Sequence, residues 1–253
     1  QMSREPKPNK APVDKIGLPA PSAIKTLTDL FYDHLKKGTL PKDNVALRKM
    51  VAEFDGKEVD NYRLKAAQED LEAAMASYAR DVVAAGNNDA TTFNQLLDTY
   101  QNQPNLNIRT STSVENQAYS TPAPLAFIAA RLAGIDRSTT VYEPTAGNGM
   151  LLLTAKPSNA IANELEDTRF ANLKAQGFNT HQGDAVQAIA NGVVKENSQD
   201  AIITNPPFGS IKDKDGNPTK IQVDGYKLGK IDHLIAAEAL RAMKDKGRAT
   251  LII

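Results

Sequence analysis

Ten residues in the second half of the chain, VYEPTAGNGM from Val141 to Met150, narrow the possible folds more than any other stretch. They open as a short strand, reach an acid at Glu143, and pass through a turn carrying Gly147 and Gly149 before a predicted helix. Glycines there let the backbone approach a ligand closely. In an open parallel sheet that ligand lies beyond the carboxyl ends of the strands, beside a helix N-terminus. A lone Gly-x-Gly means little, and its weight here comes from two acids downstream. Glu164 ends the next predicted strand about twenty residues on, where an acidic side chain can bind both hydroxyls of a ribose. Asp184, in QGDA, falls where the strand after that would end.

The surrounding pattern agrees with such a sheet. Short aliphatic runs at Thr140–Tyr142, Ala160–Asn163, Ala201–Thr204 and Ala249–Ile253 alternate with helical segments at Pro124–Ala133, Met150–Ala155, Asp167–Gln176 and Ile231–Lys244. That alternation predicts an α/β fold with a Rossmann-like parallel sheet. The sequence ends within its last predicted strand, so the sheet is expected to be truncated after its fifth strand. Ahead of it the periodicity is helical throughout. One stripe is Ile24, Leu27, Phe31 and Leu35, opened by Ser22 behind Pro21 and closed by Gly38. A second helix is expected from Asp43 to Phe54, with Val45, Met50 and Val51 apolar and Gly56 after it. A third carries Leu64, Ala67, Leu71, Met75, Tyr78 and Val82 and ends at Gly86. A fourth runs from Thr91 to Tyr100. The expected organisation is a lead-in over 1–20, an all-helical domain over 21–104, a polar linker over 105–116 and an α/β domain over 117–253.

Composition removes several classes of function. The 253 residues hold 30 Lys and Arg against 30 Asp and Glu, so any nucleic-acid contact must be a local basic patch and not a general coat. There is no Cys, which excludes disulfides, zinc ribbons and thiol nucleophiles. His34, His181 and His233 are scattered and carry no motif, so no metal site is expected. No apolar run reaches the roughly 18 residues that span a bilayer, and the amino terminus lacks the apolar core of a signal peptide. A cytoplasmic protein is the expectation.

Three acids at successive strand ends would repel a pyrophosphate. They suit a cationic nucleoside, and S-adenosylmethionine, with its ammonium, sulfonium, ribose and adenine, is one. A nucleotide-binding domain with extra carboxylates, or acids at solvated strand ends, are the alternatives. A second signal, ITNPPFG from Ile203 to Gly209, succeeds the predicted strand at Ala201–Thr204. A planar conjugated amine is a poor nucleophile because its lone pair is delocalised. The side-chain oxygen of Asn205 and the carbonyl of Pro206, accepting its hydrogens, can pull the nitrogen toward tetrahedral geometry. Phe208 offers the planar substrate a stacking surface, worth about 1–3 kcal/mol for a base. Read alone, Asn-Pro-Pro is also simply a rigid loop.

With these motifs in place, residues 117–253 resemble the catalytic domain of the N6-adenine DNA methyltransferases, in the arrangement whose cofactor motifs precede an Asn-Pro-Pro-Phe motif. NQAYSTPAPLAFIAARL resembles that family's most amino-terminal cofactor motif. The resemblance implies that Thr121 contacts the methionine carboxylate. It further implies that Glu143, Pro144 and the turn Ala146, Gly147 and Gly149 hold the methionine part, Glu164 the ribose, and Asp184 and Ala185 the adenine. Asn205, Pro206, Pro207 and Phe208 match the catalytic motif. The implied reaction is direct methyl transfer from S-adenosyl-L-methionine to a flipped adenine of DNA, with no covalent enzyme intermediate. Family members continue with two more strands and a target-recognition domain, so this chain alone is expected to depend on further domains or subunits. Helical domains ahead of the catalytic one occur in type I modification subunits and in large phage and plasmid methyltransferase-helicase proteins, which are restriction-modification or anti-restriction systems. The Lys-rich segment 209–230 (Lys212, Lys214, Lys220, Lys227, Lys230) reads as a mobile loop over DNA phosphates or the base, or as a solvated surface loop. Methylation of guanine N2 in RNA or of glutamine in protein, and a non-catalytic cofactor-binding scaffold, stay open as alternatives.

Overall fold

The computed structural model describes residues 25–86, 88–106 and 120–253. The lead-in over 1–20, the Ser22 cap, Ile24 and most of the expected linker lie outside the described residues. Among the described residues four helices come first: α1 (Leu27–Lys37), α2 (Asn44–Asp55), α3 (Asn61–Ala85) and α4 (Asp89–Gln101). Each starts where a side-chain oxygen meets an N-terminal amide. Thr26 and Asp29 form a reciprocal capping box on α1, and Asp43, Asp60 and Asn88 cap the other three. The first cap is therefore Thr26, five residues inside Pro21. Val45 is 80% exposed, and α2 instead buries Leu47 and Val51. A helix of period 3.6 cannot turn Val45 and Leu47 to the same face.

The second half contains α5 (Ala123–Leu132), β1 (Val141–Glu143), β2 (Ala160–Glu164), α6 (Asp167–Ala175), β3 (Asn179–Gln182) and β4 (Gln199–Thr204). A hairpin comes next, β5 (Ile221–Val223) and β6 (Tyr226–Leu228), then α7 (Ile231–Leu240) and β7 (Met243–Leu251). Strands β1 to β4 and β7 make one sheet in the order β3-β2-β1-β4-β7, with every neighbour parallel. The order reverses at β1, between β2 and β4, which opens a crevice at the carboxyl ends of those strands. This is the expected Rossmann-like α/β sheet.

Period-two alternation divides the sheet into two faces. Val141, Ala160, Ala162, Ala201 and Ile203 belong to one apolar core, and that core continues without a break into Phe31, Leu47, Leu71 and Leu96 of the amino-terminal helices. Tyr142 and Ile202 point to the other face, against Ala188, Val194, Ala239 and Ala242. Helix α3 therefore lies on the sheet side of the molecule, packed on α1 and on α6.

Four expected elements differ in kind or extent, one being the strand expected over Ala249–Ile253, which is β7 at Met243–Leu251. The helix expected over Met150–Ala155 is a single 3-10 turn at Met150–Leu152. Pro157 holds Lys156 in extended backbone, which leaves too few residues after Gly149 for two helical turns. Helix α7 ends at Leu240, short of Lys244, because the amides of Asn197, Ser198 and Gln199 take the carbonyls of Arg241 and Ala242. Residues 209–230 are not a plain loop. They carry the β5–β6 hairpin, turned through Asp224 and Gly225 at positive φ, and bridges that join Ser210 to Lys230 and Lys212 to Pro218.

Candidate active site

The carboxyl ends of β1, β2 and β4 open into a cavity of about 750 Å³, within the size range of small-molecule sites. Of the residues singled out in the sequence, Thr121, Glu143, Pro144, Ala146, Gly147, Glu164, Asp184, Ala185, Asn205, Pro207, Phe208 and Lys212 line it. Gly149 and Pro206 do not, and neither do Lys214, Lys220, Lys227 and Lys230. Gly149 serves packing instead. Its φ of 86° is left-handed, and a Cβ there would come within 3.1 Å of both Leu173 and Phe178. Glycine is needed at that position by conformation and by space together. Pro206 is buried between Asn205 and Pro207, which do line it.

Buried polar groups hold the loops around the cavity. Asn163, next to Glu164 on β2, donates through Nδ2 to the carbonyls of Pro144 (3.0 Å) and Gly183 (2.8 Å), while its own carbonyl accepts from the amide of Ala146 at 2.8 Å. One residue thus ties the loops after β1 and β3 to β2. The hydroxyls of Thr145 and Thr204 meet at 2.9 Å and join the β1 loop to the end of β4. The carboxylate of Glu164 accepts from the amides of Gly147 (2.7 Å), Leu165 (2.9 Å) and Glu166 (3.0 Å). A carboxylate has about four acceptor sites, so one remains for a ligand hydroxyl.

Glu143 is in a different situation. It is 1% exposed, and its Oε2 has no hydrogen-bond partner among the described residues. Burial, reinforced by the charge of Glu164, pushes its carboxyl well above the usual range. A buried carboxylate without a partner is expensive unless a cation or donor meets it. This acid faces a cavity large enough to bring one.

Also in the cavity lining, Asn205 donates from Nδ2 to Oγ1 of Thr121 at 3.1 Å. The bond spans 84 residues and joins the turn before α5 to the loop after β4. It uses one acceptor site of the Thr121 hydroxyl and leaves its hydrogen free to donate. It also leaves Oδ1 of Asn205 as an acceptor not engaged by Thr121. Phe208 is 45% exposed at the rim, with Ile221 of the hairpin also lining the cavity.

Sequence reading did not single out Glu69, Glu72, Ser120, Asn148, Asn163 and Arg169. Arg169 of α6 makes a two-point pair with Glu69 of α3, Nε to Oε2 at 2.8 Å and Nη2 to Oε1 at 3.2 Å, and Lys65 reaches the same carboxylate at 2.7 Å. Burial alone would raise the Glu69 carboxyl, but Arg169 and Lys65 outweigh it and hold it low. The one available signal was a polar residue inside an apolar strand, Asn163 in AIANE. Nothing in the helical spacing of α3 set Glu69 or Glu72 apart from surface acids.

Fold and site together define an α/β protein of Rossmann-like topology, with a cavity at the switch point of its sheet. No family model matches the chain, and no curated protein does. Among solved structures it is similar to TrmN from Thermus thermophilus, at 21% identity over 53% of this chain and 39% of that one, with a TM-score of 0.38. It is also similar to a protein from Listeria monocytogenes described as a candidate class I S-adenosylmethionine-dependent methyltransferase (lmo1582), at 13% identity over 90% of this chain and 73% of that one, again with a TM-score of 0.38. The chain spans 39% of the length of the Thermus protein. At such similarity these likenesses add nothing to what the topology shows.

Proposed function

We propose that this chain is an S-adenosylmethionine-dependent methyltransferase that methylates the exocyclic N6 of adenine in DNA, by direct transfer to a flipped base. The observation that carries the reading is the convergence of Asn205, bonded to Thr121, with the unpartnered buried carboxylate oxygen of Glu143 in one cavity. The residues present fit the cofactor. Glu143 would meet its ammonium, the Thr121 hydroxyl its carboxylate, the remaining acceptor site of Glu164 a ribose hydroxyl, and Asp184 with Ala185 its adenine. Bound there, S-adenosylmethionine would supply a methyl group on an electron-poor sulfonium.

The chain's own part is positioning. Oδ1 of Asn205 and the carbonyl of Pro206 would accept the two hydrogens of the target amine, so that its lone pair leaves the ring system and points into the cavity. Phe208 would stack on the base, and Pro207 would hold the loop rigid. A base outside its duplex costs a few kcal/mol, which stacking and these hydrogen bonds would offset. Lys212 at the rim, and Lys214, Lys220, Lys227 and Lys230 around the hairpin, would meet phosphates. Lys227 and Lys220 share their segment with Asp224, Asp213 and Asp215, so the net basic charge of the segment is small.

The test is incubation of the chain and of Asn205→Ala with labelled S-adenosylmethionine and, in parallel, unmethylated DNA, RNA and protein extract. N6-methyldeoxyadenosine that disappears in the variant is the expected result. Label in guanine of RNA or in glutamine would replace this substrate with another planar nitrogen. Binding of the cofactor without transfer to any acceptor would reduce the chain to a cofactor-holding part of a larger assembly.

A further inference from the structure

Helix α3 belongs to the amino-terminal helices, yet one of its side chains lines the cavity. Glu72 is 5% exposed and sits on the cavity wall beside Ser120 and Asn148. Its Oε2 accepts from the hydroxyl of Ser120 and from Nδ2 of Asn148, the latter at 3.1 Å. Ser120 immediately precedes Thr121, and Asn148 lies between Gly147 and Gly149. A single carboxylate oxygen therefore joins the two segments that would hold the ligand's amino-acid part. The Asn148 amide also donates to Glu69 Oε2 at 2.8 Å, and its Oδ1 accepts from Asn172 at 2.9 Å, so both ends of that amide are engaged. Through Ser120 and Thr121 the same anchor reaches Nδ2 of Asn205.

We propose that Glu72 is a positioning residue of the cofactor pocket, and that the amino-terminal helices are, through it, a working part of the methyl-transfer site. The proposal rests on the reading of the cavity as an S-adenosylmethionine site. Glu72 touches neither reacting atom. It sets the distance between the Thr121 hydroxyl and the glycine turn, and so the fit of a ligand held at both. Burial and the neighbouring charge of Glu69 raise the Glu72 carboxyl against the opposing charge of Arg169, whose Nη2 lies 3.8 Å from Glu72 Oε2.

The experiment measures S-adenosylmethionine affinity calorimetrically, with thermal unfolding in parallel, on the full chain and on Glu72→Gln, Glu72→Leu and Ser120→Ala. Gln can place its amide oxygen where Oε2 stands and accept from both Ser120 and Asn148, so Glu72→Gln should bind within about threefold of the parent. Glu72→Leu can accept from neither and should bind about tenfold or more weakly, a loss of one hydrogen-bonded anchor, while the unfolding temperature reports separately the cost of removing a carboxylate 3.8 Å from Arg169. Ser120→Ala changes an exposed residue and breaks only one arm, so it should fold normally and bind several-fold more weakly. Parental affinity in Glu72→Leu overturns the proposal. So does a Leu variant that does not fold, if it is accompanied by parental affinity in Ser120→Ala. A parent chain that binds no S-adenosylmethionine at all overturns the cofactor reading itself, and the two failures are thereby distinct.

Discussion

Nδ2 of Asn205 donates to Oγ1 of Thr121 at 3.1 Å, across 84 residues of chain. The amide that would face the substrate is oriented by the hydroxyl that would face the cofactor. A change at Thr121 is therefore expected to disturb both binding and turnover. Thr121→Val should weaken S-adenosylmethionine binding about tenfold and lower kcat as well, because it removes a donor to the ligand and frees the Asn205 amide to rotate. Thr121→Ser keeps the hydroxyl and should restore most of both. Steady-state kinetics with a direct binding measurement separate the two effects, and a Val variant with parental kcat would break the link.

If Glu143 meets the ammonium of S-adenosylmethionine, its raised carboxyl should make the affinity depend on pH. Burial and the charge of Glu164 favour its protonated form in the ligand-free protein, whereas an ammonium beside it favours the carboxylate. Affinity for S-adenosylmethionine should rise as pH climbs from the ordinary carboxylate range through the raised value, until the ligand's own α-ammonium begins to deprotonate near pH 8. For stability the sign is opposite. A carboxyl whose folded pKa lies above its unfolded one stabilises fully below the unfolded value, and that contribution is lost as pH rises through the folded value. Glu143→Gln should flatten both dependences, which titration calorimetry and urea melts across pH 5 to 8 would read.

Glu69 and Arg169 couple the helices to the sheet. Both are buried, at 7% and 5% exposure, and Lys65 and Glu72 belong to the same set. Removing one partner leaves a buried charge uncompensated, so Arg169→Met should cost about 3–5 kcal/mol in urea unfolding. Glu69 is held below its usual range by Arg169 and Lys65 against the effect of burial. Its contribution is present above the unfolded carboxylate value and lost as pH falls through the folded one. A double change, Glu69→Leu with Arg169→Met, should cost less than the sum of the single changes.

The two glycines of the turn should separate by mechanism. Gly147 has a φ of 56°, and a Cβ there would meet only Arg169 Nη1 at 3.8 Å. Gly147→Ala thus bears only left-handed strain, about 1–2 kcal/mol. Gly149→Ala adds crowding against Leu173 and Phe178 and should unfold at markedly lower urea. Equal midpoints for the two would contradict the packing described for α6.

Phe208 is 45% exposed, so Phe208→Ala should leave stability unchanged within about 0.5 kcal/mol. If it stacks on the target base, KM for the nucleic-acid substrate should rise by the equivalent of about 1–3 kcal/mol, roughly 5- to 150-fold. An unchanged KM would remove Phe208 from the substrate site.

What local chemistry dictates was legible in the sequence. The strand periodicity, the glycine turn and the acids at successive strand ends led to the Rossmann-like sheet, and the capped helical stripes to α3 and α4 within a few residues. Those features depend on neighbours close in the chain, where steric limits and side-chain capping act directly. The tertiary structure decided the rest. Whether Met150–Ala155 closed into a helix depended on the room left before Pro157. Whether 209–230 paired into a hairpin depended on residues on either side of a turn. Gly149 and Glu164, alike in spacing to ligand-binding residues, divide into a packing position and a cavity wall. Glu69 and Glu72 read as two more acids on an amphipathic helix, and nothing local distinguishes an acid facing water from one facing Arg169 or Ser120. Their role exists only because the fold brings residues 48 to 100 positions apart into hydrogen-bonding distance inside a medium without water. There an unpaired polar group is costly, and each partner must be present for the others to stay buried.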